Sequence, residues 1–349
     1  MSHPSNHDLR HMRHALRLAR RGLGNVWPNP AVGCVLIRQG RVVGRGWTRP
    51  GGRPHAERVA LDMAGDKARG ATAYVTLEPC SHYGHTPPCA AALIAAGVAR
   101  VVSAMTDPDP RVSGRGHAML RDAGIEVLEG LAEAEARAMQ AGFLMRVTLG
   151  RPFVTLKLAS SFDGRIATAG GESQWITGPD ARRHVHALRL SHDAIMVGGG
   201  TARADRPSLN VRGFGVVRQP ARVIVSSRAV PDLPPEGRDF GPLWQVSGDP
   251  GDILGQLAAR GVTRVFCEGG GVLAAGLLAA NLVDQLVGYS AGLILGADGR
   301  PAVGPLPGSR LAEMPRFRLI EARPIGPDLF HRWQRLSAPD PAMPGQRPL

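Results

Sequence analysis

His55-Ala56-Glu57, followed by Pro79-Cys80 and Pro88-Cys89, constrains this chain more than any other feature. One imidazole and two thiols are zinc ligands, and to share an ion they must be brought from separate segments to a single point. Three protein ligands leave a fourth tetrahedral position for water, which zinc makes acidic enough to react near neutral pH. His55, Cys80 and Cys89 are therefore the expected metal ligands. Glu57, beside the metal without binding it, is the expected general acid/base. A closed structural site would need a fourth ligand, for which His82 or His85 is available. The carboxylate two residues after the histidine, and the strand-turn-helix setting of both halves, favour the open, hydrolytic reading.

Zinc deaminases of amino-heterocycles follow an H-x-E…P-C-x-x-C pattern, in which a zinc-activated water attacks a ring carbon bearing an exocyclic amine. The departure here is the spacing: eight residues, Ser81 to Pro88, separate the cysteines.

A length of 349 residues predicts two domains. Charged residues at 20% and hydrophobic residues at 43% fit a soluble globular protein. No apolar run approaches the roughly 20 residues that span a bilayer, and the polar start lacks a signal-peptide core. Cys34, Cys80, Cys89 and Cys267 are irregularly spaced, two are assigned to metal, and a reducing cytoplasm is expected. The net charge of +13 raises nucleic acid as a partner. The basic residues are scattered singly and aromatics make up only 5%, which is poor for base stacking, so a small anionic substrate is favoured.

Apolar spacing predicts a helix over 6–21, with a frayed, exposed start carrying His3, His7, His11 and His14. Residues 32–37 and 41–47 read as a hairpin turning at Gln39-Gly40. Helices at 57–64 and 89–96 and strands at 71–77 and 100–105 continue the pattern. Residues 114–122, 125–128 and 132–146 complete a sheet flanked on both faces. Both zinc motifs fall at helix N-termini, whose free N–H groups favour thiolate. A break near residues 148–152 gives domains 1–147 and 148–336, with a proline-rich, disordered tail over 337–349. The second domain opens on a strand at 153–159 carrying Lys157. A helix at 179–190 is capped by Thr177 or Gly178. Two strands, 194–197 and 263–267, each run into a glycine turn before a helix, where bare amides suit the phosphates of a nucleotide cofactor.

The chain resembles the bifunctional riboflavin-biosynthesis deaminase–reductase family along nearly its whole length. The match is carried by Pro28-Asn29-Pro30-Ala31-Val32-Gly33, His55-Ala56-Glu57 and the run Thr76 to Cys89. It continues through Lys157, Ser161 to Arg165, Gly171 to Thr177, Gly200 to Asp205 and Glu268-Gly269-Gly270. The long insert between the cysteines separates this family from tRNA and cytidine deaminases. The resemblance implies an α/β chain of two domains: an N-terminal cytidine-deaminase-like three-layer α/β/α domain and a C-terminal dihydrofolate-reductase-like α/β domain. It implies zinc-dependent hydrolytic removal of the 2-amino group of 2,5-diamino-6-(5-phosphoribosylamino)pyrimidin-4-one. Reduction by NADPH of the product's ribosyl group to ribityl would follow.

By position, the resemblance puts Asn29 against the pyrimidine. It assigns cofactor contacts to Ala159, Trp175, Thr201, Asp205, Ser227 and the loop Gly270, Gly271, Val272, Leu273, Ala274, Ala275 and Gly276. Substrate contacts fall on Ser173, Arg189, Leu209, Arg212 and Glu268, and the two arginines suit a phosphate. Lys157 and Asp205 are the polar candidates for steering a proton or the sugar hydroxyls. Position 206 is Arg where the family often has a second acid, and Ser226 stands where Asp is usual. Arg228 beside Ser227 favours the 2′-phosphate of NADPH over NADH. No nucleic acid or membrane partner is expected, and a homo-oligomer, dimer or tetramer, is. The rivals are an RNA-editing deaminase, suggested by the charge, and a non-catalytic zinc-stabilised protein.

Overall fold

A computed structural model describes residues 5–82, 87–109, 113–215, 218–230 and 232–336. The expected tail over 337–349, His3 and His85 lie outside them. The first unit comprises α1 (Asn6–Ala19), β1 (Gly33–Arg38), β2 (Arg41–Trp47), α2 (Ala56–Ala64), β3 (Thr72–Val75), α3 (Cys89–Ala95), β4 (Arg100–Ser103), α4 (Arg115–Asp122), β5 (Glu126–Leu128) and α5 (Glu133–Leu149). The sheet runs β2-β1-β3-β4-β5, antiparallel about β1 and parallel from β3 to β5.

Helices cover both faces of this sheet, so β1 is a continuous apolar run with Cys34, Val35 and Leu36 fully buried. Glycines set how closely the helices lie. A Cβ at Gly33 would stand 2.0 Å from the Ala15 carbonyl of α1. On β2, a Cβ at Gly44 or Gly46 would stand 2.2 or 2.3 Å from the Ala60 or Ala56 carbonyl of α2. Gly46 pairs with Cys34 across the ladder, so α1 and α2 lie on opposite faces. The hairpin turns at Gln39 and Gly40 with positive φ at both, as expected for a tight primed turn.

The start of α1 differs from expectation. It is not frayed: Ser5 and Asp8 form a reciprocal capping box, and Asp8 is buried. The Tyr74 hydroxyl donates to Asp8 at 2.6 Å and Arg100 at 2.8 Å, pinning the helix to β3 and β4. Among the described residues no metal cluster forms there. The helix ends at Ala19, and a 3-10 turn continues to Gly22.

The second unit comprises β6 (Phe153–Ser161), β7 (Arg165–Ala167), α6 (Pro179–Arg189), β8 (Ala194–Gly198), α7 (Gly199–Asp205), β9 (Ala221–Val225), β10 (Leu243–Val246), α8 (Pro250–Ala259), β11 (Arg264–Gly269), α9 (Gly271–Ala279), β12 (Gln285–Ala291), β13 (Arg300–Pro301), β14 (Phe317–Ile325) and β15 (Asp328–Arg335). Eight strands form one sheet in the order β10-β9-β8-β11-β6-β12-β15-β14, parallel through β12 and antiparallel at β15 and β14. One face packs Val154, Leu156, Val265 and Cys267 under α8 and α9. The other packs Ile195, Val197, Phe266, Val287 and Tyr289 under α6. Gly178 caps α6 with no side chain of its own. The Asp328 carboxylate accepts the Gly178 N–H at 2.7 Å instead. No helix among the described residues is long and apolar enough to cross a membrane.

Candidate active sites

In the first unit the fold brings the three expected ligands together. His55 is the residue that caps α2, and Cys89 is the first residue of α3. His55 Nδ1 lies 3.3 Å from Cys89 Sγ and 3.8 Å from Cys80 Sγ, and the three ligand atoms lie within 4.8 Å of one another. Tetrahedral zinc, with Zn–S of about 2.3 Å and Zn–N of about 2.0 Å, sets its ligand atoms roughly 3.5–3.8 Å apart, so the donor set fits that ion. His82 is exposed and is not part of the cluster.

The backbone N–H of Cys89, at the start of α3, donates to Cys80 Sγ at 3.3 Å. The Cys89 thiol, that amide and His55 bring Cys80 down to about 4. Cys89 goes the other way. Hydrogen bonding to the Cys80 thiolate and burial hold its thiol protonated, because two adjacent thiolates without a cation repel each other. The helix-terminal amide thus favours the partner thiolate and not that of its own residue. Glu57 is buried beneath the cluster, and desolvation with the negative Cys80 nearby pushes its pKa up to about 7. A carboxyl with that affinity can take and return a proton near neutral pH. The Asn29 side chain lies against the turn that leads into His55; a Cβ at Gly52 would stand 1.8 Å from its Nδ2.

Sequence reading missed Glu78. Its buried carboxylate accepts N–H bonds from Asp107 (3.1 Å), Gly114 (2.9 Å) and Gly116 (2.8 Å), seating the Pro79-Cys80 step against the start of α4. A carboxylate directly before Pro-Cys is the one signal that could have exposed it.

In the second unit, Lys157 on β6, Glu268 on β11 and Arg189 on α6 converge on one face of the sheet. Arg189 forks onto Glu268 and also donates to the Asn210 carbonyl at 2.7 Å. Burial works to raise the Glu268 pKa, but Arg189 and Lys157 outweigh it and hold the carboxylate ionised. Desolvation lowers the Lys157 pKa, and the positive Arg189 adds to this against the pull of Glu268. A lysine so placed gives up a proton more readily than a surface lysine. Leu209, buried at positive φ, leads into Asn210 and Arg212, whose N–H donates to His186 Nδ1 at 3.2 Å. Asn210 and His186 were not singled out from sequence, since neither lies in a recognisable motif.

The two glycine turns face each other at the ends of neighbouring β8 and β11. A Cβ at Gly270 would stand 2.8 Å from Thr201 Oγ1, and one at Gly199 would stand 2.6 Å from Ser226 Oγ. Such a cradle of bare backbone, which a methyl group would fill, suits the phosphates of a dinucleotide. The expected loop 270–276 is instead a turn at Gly270 followed by the first turns of α9. Val272 is 85% exposed there, while Ala274 and Ala275 face the core. Ala159 follows Lys157 on the same face of β6, and Ser227 lies just beyond β9. Trp175, in the loop with Ser173, is exposed and covered by Arg182 at 4.4 Å. Asp205 closes α7 with its pKa raised by burial, and no hydrogen bond ties it to Lys157 among the described residues.

Residues 5–105 match the cytidine and deoxycytidylate deaminase zinc-binding region, and residues 152–331 match the RibD C-terminal domain. The chain is 42% identical to riboflavin biosynthesis protein RibD of Escherichia coli, over 92% of this chain and 98% of that one. It is 43% identical to the RibD protein of Haemophilus influenzae, over 93% and 96%. The solved structure of Acinetobacter baumannii RibD superposes with a TM-score of 0.86 at 39% identity, covering 95% of this chain and 99% of that one. The Thermotoga maritima diaminohydroxyphosphoribosylaminopyrimidine deaminase/5-amino-6-(5-phosphoribosylamino)uracil reductase gives 0.84 at 33%, again over 95% and 99%. With both domains in this order, the chain belongs to the RibD family of bifunctional riboflavin-biosynthesis enzymes, a zinc deaminase joined to an NADPH-dependent reductase.

Proposed function

We propose that the first unit deaminates 2,5-diamino-6-(5-phosphoribosylamino)pyrimidin-4-one and the second reduces the ribosyl group of the product to ribityl. The observation that carries this reading is geometric: Glu57 is buried beside the His55–Cys80–Cys89 cluster, whose ligand atoms lie within 4.8 Å of one another. His55, Cys80 and Cys89 would hold zinc, which when bound would supply an acidified water. Glu57 would take one proton from water and pass it to the ring nitrogen, then carry the second, from the added hydroxyl, to the departing amine, so that water is consumed and ammonia released. Asn29 orients the pyrimidine.

In the second unit, the Gly198–Thr201 and Gly269–Val272 turns would hold the NADPH phosphates, with Ala159, Trp175, Asp205 and Ser227 as further cofactor contacts. NADPH supplies hydride to the sugar's first carbon. Lys157, with Asp205, steers the accompanying proton. Ser173, Leu209, Arg212 and the Arg189–Glu268 pair hold the phosphorylated sugar. The division into 1–147 and 148–336 falls in the last turn of α5.

We place the enzyme in the cytoplasm, where its four cysteines, none in a disulfide, stay reduced. A homo-oligomer, dimer or tetramer, is proposed on the half-exposed Leu319, Ile320 and Leu329 of the terminal hairpin. Purified protein with zinc and NADPH, given the diamino-pyrimidinone phosphate, should release ammonia and then consume NADPH. Failure to release ammonia overturns the reading.

A further inference from the structure

Trp27 belongs to the first unit in sequence but to the second in packing. Its ring is 8% exposed and joins the core cluster of Val154, Leu156 and Val265. It stands edge-on to Trp244, with centroids 6.2 Å apart and planes at 90°. The Arg218 guanidinium lies 4.1 Å from the centre of the Trp27 ring and donates to the Trp27 carbonyl at 3.4 Å. Arg260 in turn covers Trp244 at 4.9 Å. Arg218, Trp27, Trp244 and Arg260 thus form a stack that crosses from one unit into the other, cation on ring and ring on ring.

The flanking residues are held as tightly. A Cβ at Gly261, just past α8, would stand 2.8 Å from Pro28 Cβ, and one at Gly24 would stand 2.1 Å from the Leu190 carbonyl. The segment 24–28 is therefore gripped at both ends by the reductase. Asn29 comes next, between Pro28 and Pro30. Proline fixes its own φ and narrows the residue before it, so few soft dihedrals separate Trp27 from the Asn29 amide. Asn29 N–H donates to the Val26 carbonyl at 3.1 Å, and Gly51 N–H to the Asn25 carbonyl at 2.8 Å, tying the segment to the turn before His55.

We infer that Trp27 is a positioning residue of the deaminase: anchored in the reductase core, it fixes Asn29 in the pyrimidine site, so the reductase domain sets the deaminase's hold on its substrate. The inference rests on Asn29 contacting the pyrimidine. A tryptophan that merely joined two domains would, when removed, lower stability and leave substrate affinity alone.

The test uses full-length Trp27→Ala, Trp27→Phe, Trp244→Ala and Asn29→Ala, with zinc stoichiometry and both activities measured. In Trp27→Ala and Trp244→Ala the deaminase KM should rise about tenfold. The deaminase kcat, bound zinc and reductase kcat/KM should stay near wild type, and Trp27→Phe should recover most of the loss. Trp244→Ala lies wholly in the reductase, so it serves also if Trp27→Ala does not fold. An unchanged deaminase KM in zinc-loaded Trp27→Ala or Trp244→Ala, while Asn29→Ala raises it, overturns the inference alone. An unchanged KM in Asn29→Ala overturns the role given to Asn29, and the inference with it.

Discussion

Arg189 on α6 meets Glu268 at the end of β11 through one guanidinium edge, Nε and Nη2 donating to the two carboxylate oxygens at 2.5 and 3.0 Å. Both side chains are about nine-tenths buried, so losing one charge strands the other in a poor solvent, at about 3–5 kcal/mol. Glu268→Gln should lower reductase kcat/KM by about 10²-fold, and ammonia release should be unchanged. Following NADPH loss and ammonia in the same preparation checks both halves. Equal damage to the two activities would show the pair to be a general scaffold.

Glu57→Gln keeps the shape of the carboxyl and removes its proton chemistry. Deamination should fall by at least about 10²-fold while bound zinc and reductase turnover persist. Stripping zinc with a chelator should likewise abolish ammonia release and spare reduction of pre-deaminated substrate. Retained deamination in Glu57→Gln would sink the assignment.

Much of this was legible in sequence because His55 and Cys89 sit at starts of helices, and because β6, β8 and β11 each carry at least three consecutive buried residues. Other features depend on partners far along the chain. Arg189 and Glu268 lie 79 residues apart, and the donors to Glu78 come from 29 to 39 residues away. The capped start of α1 was readable locally as Ser5-x-x-Asp8; only the hold of Tyr74 and Arg100 on Asp8 depends on residues far along the chain. β14 and β15 escaped notice because arginine and other polar residues interrupt their apolar ones at the end of the sheet, where Leu319, Ile320 and Leu329 stay half-exposed.

Burial works to raise the Asp8 pKa, but bonds from Tyr74, Ser5 and Arg100 outweigh it and hold the carboxyl far below the usual range. A depressed folded-state pKa contributes stability above the unfolded value of about 3.9, lost as pH falls towards the folded one. Asp8→Asn should therefore cost about 2 kcal/mol above pH ~5, and the gap to wild type should begin to narrow below pH ~4 and close only as pH nears the depressed folded-state value. Denaturant unfolding across that range measures it. A gap that stays constant with pH would mean that the charge contributes nothing.

Arg228 is exposed in the turn after β9, its N–H bound to Ser226 Oγ at 3.2 Å and its carbonyl accepting from Gln245. This leaves the guanidinium available to a 2′-phosphate. Arg228→Glu should raise the KM for NADPH about tenfold and leave that for NADH unchanged. Equal efficiency with the two cofactors in the wild type would count against the role.

Gly44 and Gly46 carry no proton, metal or substrate, yet they decide how low α2 rides on β2 and so how far His55 reaches. A single methyl group at either would prise the imidazole away from the Cys80 and Cys89 thiols, which other segments hold. The metal centre's dimensions are written in hydrogen atoms on the far side of the helix. A chain can keep every ligand and still lose the ion from beneath.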